Sequence, residues 1–185
     1  MNWNDHSNLE GMHAFLGGSK YHWLNYDEDK LITTYRNLLA KEMGVKLHNY
    51  AAMSIELRQK LPRSRRTLNA YVNDSINLSM TPEVPLFYSR NCFGTADAIS
   101  FKKNVLTIHD LKTGVIPAHI EQLEIYAALY CLEYHKKPSD IHTNLKIYQN
   151  DEILFHEPSA GEIGMIMDKI VYFDELITRV EKEER

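Results

Sequence analysis

The chain has 185 residues, a formal net charge of −4, and a composition that is 44% hydrophobic and 25% charged. These values fit one folded domain and exclude a disordered or collagen-like architecture. The longest apolar run, Ile125 to Leu132, is 8 residues, far short of the ~18 needed to cross a bilayer. The opening stretch MNWNDHSNLE is polar and lacks a signal-peptide core. The expectation is therefore a soluble, cytoplasmic protein with no membrane partner. Cys92 and Cys131 are the two cysteines, too few for a four-thiolate zinc or iron–sulfur site within one chain, so any metal must use oxygen and imidazole ligands. The negative net charge gives no global case for binding nucleic acid, and such a role needs a local basic patch.

In chain order, the hydrophobic period predicts helices over residues 1–80. Asp27 or Asp29 is placed to cap a helix starting near Lys30, with Leu31, Ile32, Tyr35, Leu38 and Leu39 at helical spacing. Gly44 either interrupts this helix or lets a neighbour approach. A second stretch continues through Val45, Leu47, Ala51 and Ile55 to a stop at Pro62, and a weaker helix follows from Thr67 to Met80. After Pro82 the period shortens to that of strands: Val84 to Tyr88, Cys92 to Phe101 and Val105 to Leu111 predict an antiparallel meander. Ala118 to Tyr134 predicts a buried helix. Ile141 to Tyr148 and Glu152 to His156 read as two more strands, and Ser159 caps a last helix running to about Lys182. The fold class expected is α/β, a single domain over 1–185 with a mixed central sheet (83–156, including its central helix) flanked by helices, the last over 159–183.

The informative segment is GTADAISFKKNVLTIHDLKTG, residues 94 to 114. With Lys103-Asn104 at a hairpin tip, Phe101 pairs with Leu106, Ile99 with Ile108, and Asp97 with Asp110. One face is then apolar near the turn and ends in two acids, with Lys112 pointing the same way. Adjacent carboxylates repel, and a divalent cation between them relieves the repulsion; oxygen ligands of this kind suit Mg2+ or Mn2+. Such an ion, with an ammonium beside it to orient or help deprotonate water, suits hydrolysis of a phosphodiester.

These residues, with three further elements, resemble the PD-(D/E)XK nuclease superfamily and in particular its RecB-like and phage exonuclease branches. Gly44-Val45-Lys46-Leu47-His48 is similar to a helical G-x-x-x-H element, Gly94-Thr95-Ala96-Asp97 to a G-x-x-D strand, Asp110-Leu111-Lys112 to a D/E-x-K strand end, and Gln122 to Tyr126 to a Q-x-x-x-Y helix. The resemblance spans about residues 44 to 130 with the four elements in order. It implies a restriction-endonuclease-like core. It further implies a metal held by His48, Asp97, Asp110 and the Leu111 carbonyl, and catalytic roles for Asp97, Asp110, Lys112, Gln122 and Tyr126. An imidazole ligand tilts the preference toward Mn2+. Gln122 and Tyr126, four apart, share a helix face from which they can orient Lys112 or contact a phosphate, while Tyr126 also suits the core. Glu83, at a strand entry, is a further candidate carboxylate of undetermined role. Some relatives carry a four-cysteine iron–sulfur cluster; with two cysteines this chain departs from them, so no cluster is expected.

Arg58, Lys60, Arg63, Arg65 and Arg66 place five cations within nine residues with no acid among them. They form the local patch that nucleic-acid binding requires, with affinity that falls with salt. The sequence reading is thus a metal-dependent deoxyribonuclease, an exonuclease of phage-type recombination or DNA processing, acting in a bacterial or phage-infected cell. The alternatives are an endonuclease of the same fold and a non-catalytic DNA-binding or assembly protein. DNA is the expected partner. A recombination or single-strand-binding protein and a homo-oligomeric ring are further partners that the phage branch implies, although no heptad or symmetric patch in the sequence reports the ring.

Overall fold

A computed structural model describes residues 4–184. They group into two compact units, one ending at Met43 and the other beginning at Gly44. Short 3-10 turns at Ser7–Leu9 and Gly18–Asn25 in the first unit precede a long helix, α1 (Glu28–Glu56), whose residues from Gly44 on belong to the second unit. Asp27 Oδ1 accepts the Lys30 amide at 2.7 Å, satisfying one of the open donors of the first helical turn as the sequence predicts. The Trp23 indole donates to the Gly17 carbonyl at 3.1 Å, and Phe15 packs edge-on against Tyr35.

Gly44 does not interrupt α1, which is one continuous helix. It serves instead as a place of close approach: a Cβ there would stand 2.8 Å from Thr113 Oγ1. The helix also stops at Glu56, well before Pro62, because Arg58 turns into the left-handed region (φ 52°). The amides of Arg58 and Gln59 then close back onto the Ile55 and Ser54 carbonyls at 3.1 and 2.9 Å.

The remaining elements are α2 (Thr67–Asn77), β1 (Thr81–Ser89), β2 (Cys92–Lys102), β3 (Val105–Lys112), α3 (Glu121–Glu133), β4 (His142–Gln149), β5 (Glu152–His156) and α4 (Ala160–Glu183). The sheet order is β1-β2-β3-β4-β5, antiparallel except for the parallel pair β3–β4. A parallel pair needs a crossover, and α3 supplies it. The class is therefore α/β with a mixed five-stranded sheet flanked by helices. Both two-residue turns, Lys103-Asn104 and Asn150-Asp151, have positive φ at each position, the twist that matches a tight hairpin. The predicted partners Phe101↔Leu106 and Ile99↔Ile108 are present. The ladder ends at Ala98↔His109, so Asp97 and Asp110 are not ladder partners, because the Leu111 amide bonds to the Asp97 side chain (Oδ2, 2.9 Å) instead.

Alternation along β3 gives the sheet two cores. Leu106 and Ile108, with Leu86, Ile99, Leu145 and Ile147, meet Leu123 and Ala127 of α3 and Ile163 of α4. On the opposite face Leu111, Ala98 and Tyr148 meet Tyr71, Val72 and Ile76 of α2, with Ala51 and Ile55 of α1. Each buried aliphatic side chain stabilises by about 1.5–3 kcal/mol, so β3, covered on both sides, is the element that fixes the ends of its neighbours. α4 starts with a capping box: Ser159 Oγ accepts the Glu162 amide and Glu162 accepts the Ser159 amide, at 3.2 and 2.7 Å. Among the described residues no helix is long and apolar enough to cross a membrane.

Candidate active site

Two groups of side chains meet where β2 and β3 diverge. In the first, His48 of α1, Glu83 of β1 and Asp97 of β2 each bring one ligand atom to within 4.8 Å of the others. His48 Nδ1 lies 3.4 Å from Asp97 Oδ2. That oxygen also receives the Leu111 amide at 2.9 Å, which fixes the carboxylate's orientation from the strand beside it. Glu83 joins the group through an unusual backbone. Pro82 pairs with Ala98 and Val84 with Ala96, and Glu83 between them, level with Asp97, has φ 49°. A non-glycine residue in that region costs about 1–3 kcal/mol, and the cost is met here beside a prospective cation site.

In the second group, Lys112 Nζ lies 3.1 and 3.0 Å from the two Asp110 oxygens and donates to Gln122 Oε1 at 2.8 Å. Gln122 Nε2 donates to the Tyr126 hydroxyl at 3.0 Å. The chain Asp110–Lys112–Gln122–Tyr126 follows from the two periods: Asp110 and Lys112 are two apart on a strand and Gln122 and Tyr126 four apart on a helix, so each pair shares a face. Gly94 makes room for it, since a Cβ there would stand 2.7 Å from Tyr126 Cε1.

The electrostatics of the acids are unfavourable without a further cation. Burial raises the Asp97 carboxyl above its ordinary value, and the Leu111 amide and His48 only partly offset this. Burial and then the neighbouring charge of Asp97 push Asp110 up to about 6, against the lowering effect of Lys112. The field of Asp97, Glu83 and Asp110, added to burial, also raises the Tyr71 phenol on α2. Asp110 Oδ2 is sealed from solvent with no directed hydrogen bond. The Lys112 ammonium beside it therefore acts on that oxygen as a charge.

A site of two carboxylates and one imidazole, with hard oxygen donors dominant, fits a divalent cation such as Mn2+ or Mg2+. Among the described His, Cys, Asp and Glu side chains, the convergent trio brings Glu83 beside His48 and Asp97; Asp110 is paired with Lys112 outside that trio, and the Leu111 amide bonds to Asp97. Glu83 takes a place that its strand-entry position did not distinguish. The signal for it was register: once β1 is set antiparallel to β2, Glu83 falls opposite Asp97. Arg58, Lys60, Arg63, Arg65 and Arg66 are all exposed, and no ion pair holds any of them among the described residues. Their loop is nonetheless shaped. Asn73 of α2 accepts the Leu61 amide and donates to its carbonyl, at 2.9 and 3.0 Å, while Asn69 donates to the Pro62 carbonyl at 2.9 Å.

Comparison of the chain with family models, with curated proteins and with solved structures returns no match. The functional reading therefore stands on the geometry of these side chains.

Proposed function

We propose that the protein is a divalent-metal-dependent DNA nuclease with a restriction-endonuclease-like core, acting as an exonuclease. The observation that carries this reading is the juxtaposition of the His48, Glu83 and Asp97 ligand atoms with an ammonium clamped between Asp110 and Gln122. A divalent ion held by those three residues would supply Lewis-acid stabilisation of a phosphoryl oxygen and acidify a bound water.

The chain's own residues do the rest. Lys112 has three N–H donors, and directed bonds to Asp110 and Gln122 use two. The third is free to orient the attacking water or to meet a phosphoryl oxygen, where the fixed positive charge stabilises the negative charge that builds up during displacement. Gln122 and Tyr126 hold the ammonium in place, and the orienting bond costs nothing at the moment of reaction because it already exists. Asp110 anchors the Lys112 ammonium through both of its oxygens, and Asp97 is held in a fixed orientation by the Leu111 amide. The exposed cations of the 58–66 loop supply phosphate contacts without sequence preference, each contact contributing a salt slope of about −0.9 on duplex DNA.

The test is cleavage of linear and covalently closed circular DNA in Mg2+ and in Mn2+, by the wild-type chain and by Lys112→Ala. The expected result is loss of linear DNA, intact circles, and a cleavage rate about 10²–10⁴-fold lower in the variant. Nicking of circles would instead identify an endonuclease. Binding of DNA with no metal-dependent cleavage of either form would assign the fold to a non-catalytic role.

A further inference from the structure

A cavity of about 280 Å3 opens among His13, Phe15, Lys20, Trp23, Tyr26 and Thr34. All of these precede Gly44, so it lies within the first unit. The local backbone shapes it. The 3-10 stretch Gly18–Asn25 is broken at Lys20 (φ −107°, ψ 38°), whose amide closes onto the Gly17 carbonyl at 3.0 Å, and the Tyr26 amide closes onto the Trp23 carbonyl at 3.1 Å. The Trp23 indole is fixed by its own bond to the Gly17 carbonyl, and Phe15 by its edge-on contact with Tyr35. Three aromatic side chains thus border a space that none of them fills. They do not close into a core, since no described residue of this unit is buried and Phe15, Trp23 and Tyr26 are each half-buried.

We propose that this cavity binds one unpaired nucleotide, with the base stacked on Trp23 and the phosphate held by Lys20 and His13. The inference goes beyond the nuclease reading and does not depend on cleavage. Three observations carry it. The first is the wall: aromatic faces attract a flat π-system. The groups that could read a base edge by donating to it are engaged, the Trp23 N–H with Gly17 and the Thr34 hydroxyl with the Lys30 carbonyl at 2.7 Å. Stacking without such readout accepts any base. The second is charge. Lys20 and His13 are exposed where they line the cavity, and no acid lines it. The lysine therefore opposes a quaternary ammonium, the usual guest of an aromatic cage, and favours a phosphate. The third is size: pockets for drug-sized ligands run roughly 300–1,000 Å3, so this one has room for a single base and not for a stretch of strand. A free mononucleotide and an unpaired residue within a strand share this chemistry.

The tryptophans of the chain are Trp3 and Trp23, so in Trp3→Phe the intrinsic fluorescence reports the cavity wall alone. This variant is titrated in EDTA with deoxyadenosine monophosphate, with deoxyadenosine, with a short oligodeoxyadenylate and with an abasic strand of the same length. The monophosphate and the oligonucleotide are expected to quench the fluorescence saturably, and the abasic strand to leave it unchanged. Adding Phe15→Leu, which keeps an apolar side chain but removes a ring face, should weaken the monophosphate about tenfold, within the range of one lost stacking partner. Adding Lys20→Gln, a change at an exposed position, should weaken the monophosphate about tenfold and leave deoxyadenosine unchanged. Tighter binding of the monophosphate than of the oligonucleotide identifies a released mononucleotide as the ligand, and the reverse identifies a nucleotide within a strand; either supports the site. Absence of saturable quenching by both, equal quenching by the abasic strand, or a monophosphate affinity unchanged in both variants would overturn it. So would saturable quenching by tetramethylammonium in place of the nucleotides, or a dimer that Phe15→Leu dissolves, which would assign the cavity to a cation or to a second copy. Failure of the nuclease reading shows separately, as absence of metal-dependent cleavage of any DNA, and leaves these titrations unaffected.

Discussion

His109 and Asp110 are neighbours on β3, almost fully sealed from solvent at 0% and 1% exposure. Among the described residues they hold the two buried side-chain polar atoms without a hydrogen-bond partner, Nε2 and Oδ2. They nevertheless face opposite sides of the sheet and meet different surroundings. His109 Nδ1 faces the Ser75 and Tyr148 hydroxyls at 3.3 and 3.4 Å, and Tyr148 donates to Asp74 at 2.8 Å. Burial, with a smaller contribution from Lys146, holds the imidazole neutral by pulling it down to about 3. Asp110 meets an ammonium whose side chain is 30% exposed. Burial of a polar group alone therefore does not mark a site, because His109 is a neutral imidazole held among core hydroxyls. What distinguishes the Asp110 side is a buried acid whose cation reaches the surface beside three convergent ligands.

The strongest way to break that comparison is activity. Lys112→Ala removes the charge expected at the reacting phosphate and should lower the cleavage rate by about 10²–10⁴-fold, whereas His109→Leu should leave it within a few-fold. Equal losses in a metal-dependent nuclease assay would mean that the two faces do not differ as described.

A sharper comparison uses pH, because the two neighbours contribute slopes of opposite sign. Asp110 titrates in the fold near 6 against an ordinary 3.8. Its contribution to stability is fully present below 3.8 and is lost as pH rises through about 6. His109 titrates near 3 against 6.5, so its contribution is present above 6.5 and is lost as pH falls toward 3. In metal-free thermal melts, Asp110→Asn should make the loss of stability in acid steeper than in the wild type. His109→Leu should leave a chain that gains stability as pH falls from 7 to 4. Each difference is on the order of 3 kcal/mol across the window. Superimposable pH profiles for the two variants would remove the distinction.

Much of this was legible in the sequence because it follows from period and turn chemistry. The Ser159 cap, the Lys103-Asn104 turn and the shared faces of Asp110 with Lys112 and of Gln122 with Tyr126 depend on residues at most four apart. The opposite orientation of His109 follows from the same alternation. The features that were not legible depend on how separate segments approach each other. Gly44 could be read as a break or as a point of contact, and only the packing of α1 against the end of β3 decides for contact. Extending the hairpin register pairs Asp97 with Asp110. The ladder nevertheless stops a residue short of that pair, because a side-chain acceptor captures the Leu111 amide. Glu83 is one strand-entry acid among several until the register of β1 places it opposite Asp97, and its positive φ has no local signature.

Gly94 tests the Asp110 side without touching any charge. Gly94→Ala places a methyl group where Tyr126 Cε1 now lies 2.7 Å away, so the ring must move and take its hydroxyl away from Gln122. Overpacking of this kind costs about 1–3 kcal/mol. Lys112, losing a fixed partner, should support cleavage at a rate lower by about tenfold, with KM for DNA little changed because the cationic loop proposed to contact phosphates is elsewhere. The acid limb of the melting profile set by His109 should be unaltered. A change there would show that the two sides of β3 are mechanically coupled.

The smallest expected effect comes from Glu83, where stability and function should move in opposite directions. Glu83→Gly removes the backbone penalty of a side chain at φ 49°, and after the greater flexibility of glycine in the unfolded chain is deducted the gain should be about 0.5–1 kcal/mol. The same change removes one of the three convergent ligand atoms, so Mn2+ affinity measured by calorimetry should fall. Glu83→Ala separates the two effects, since it loses the same carboxylate, and with it the same repulsion on Asp97, but keeps the strained backbone; it should bind metal as poorly as the glycine variant while melting below it. If the glycine variant melts no higher than the alanine variant, the left-handed turn is held without strain; if both variants bind Mn2+ as the wild type does, Glu83 is a neighbour of the site and not a ligand.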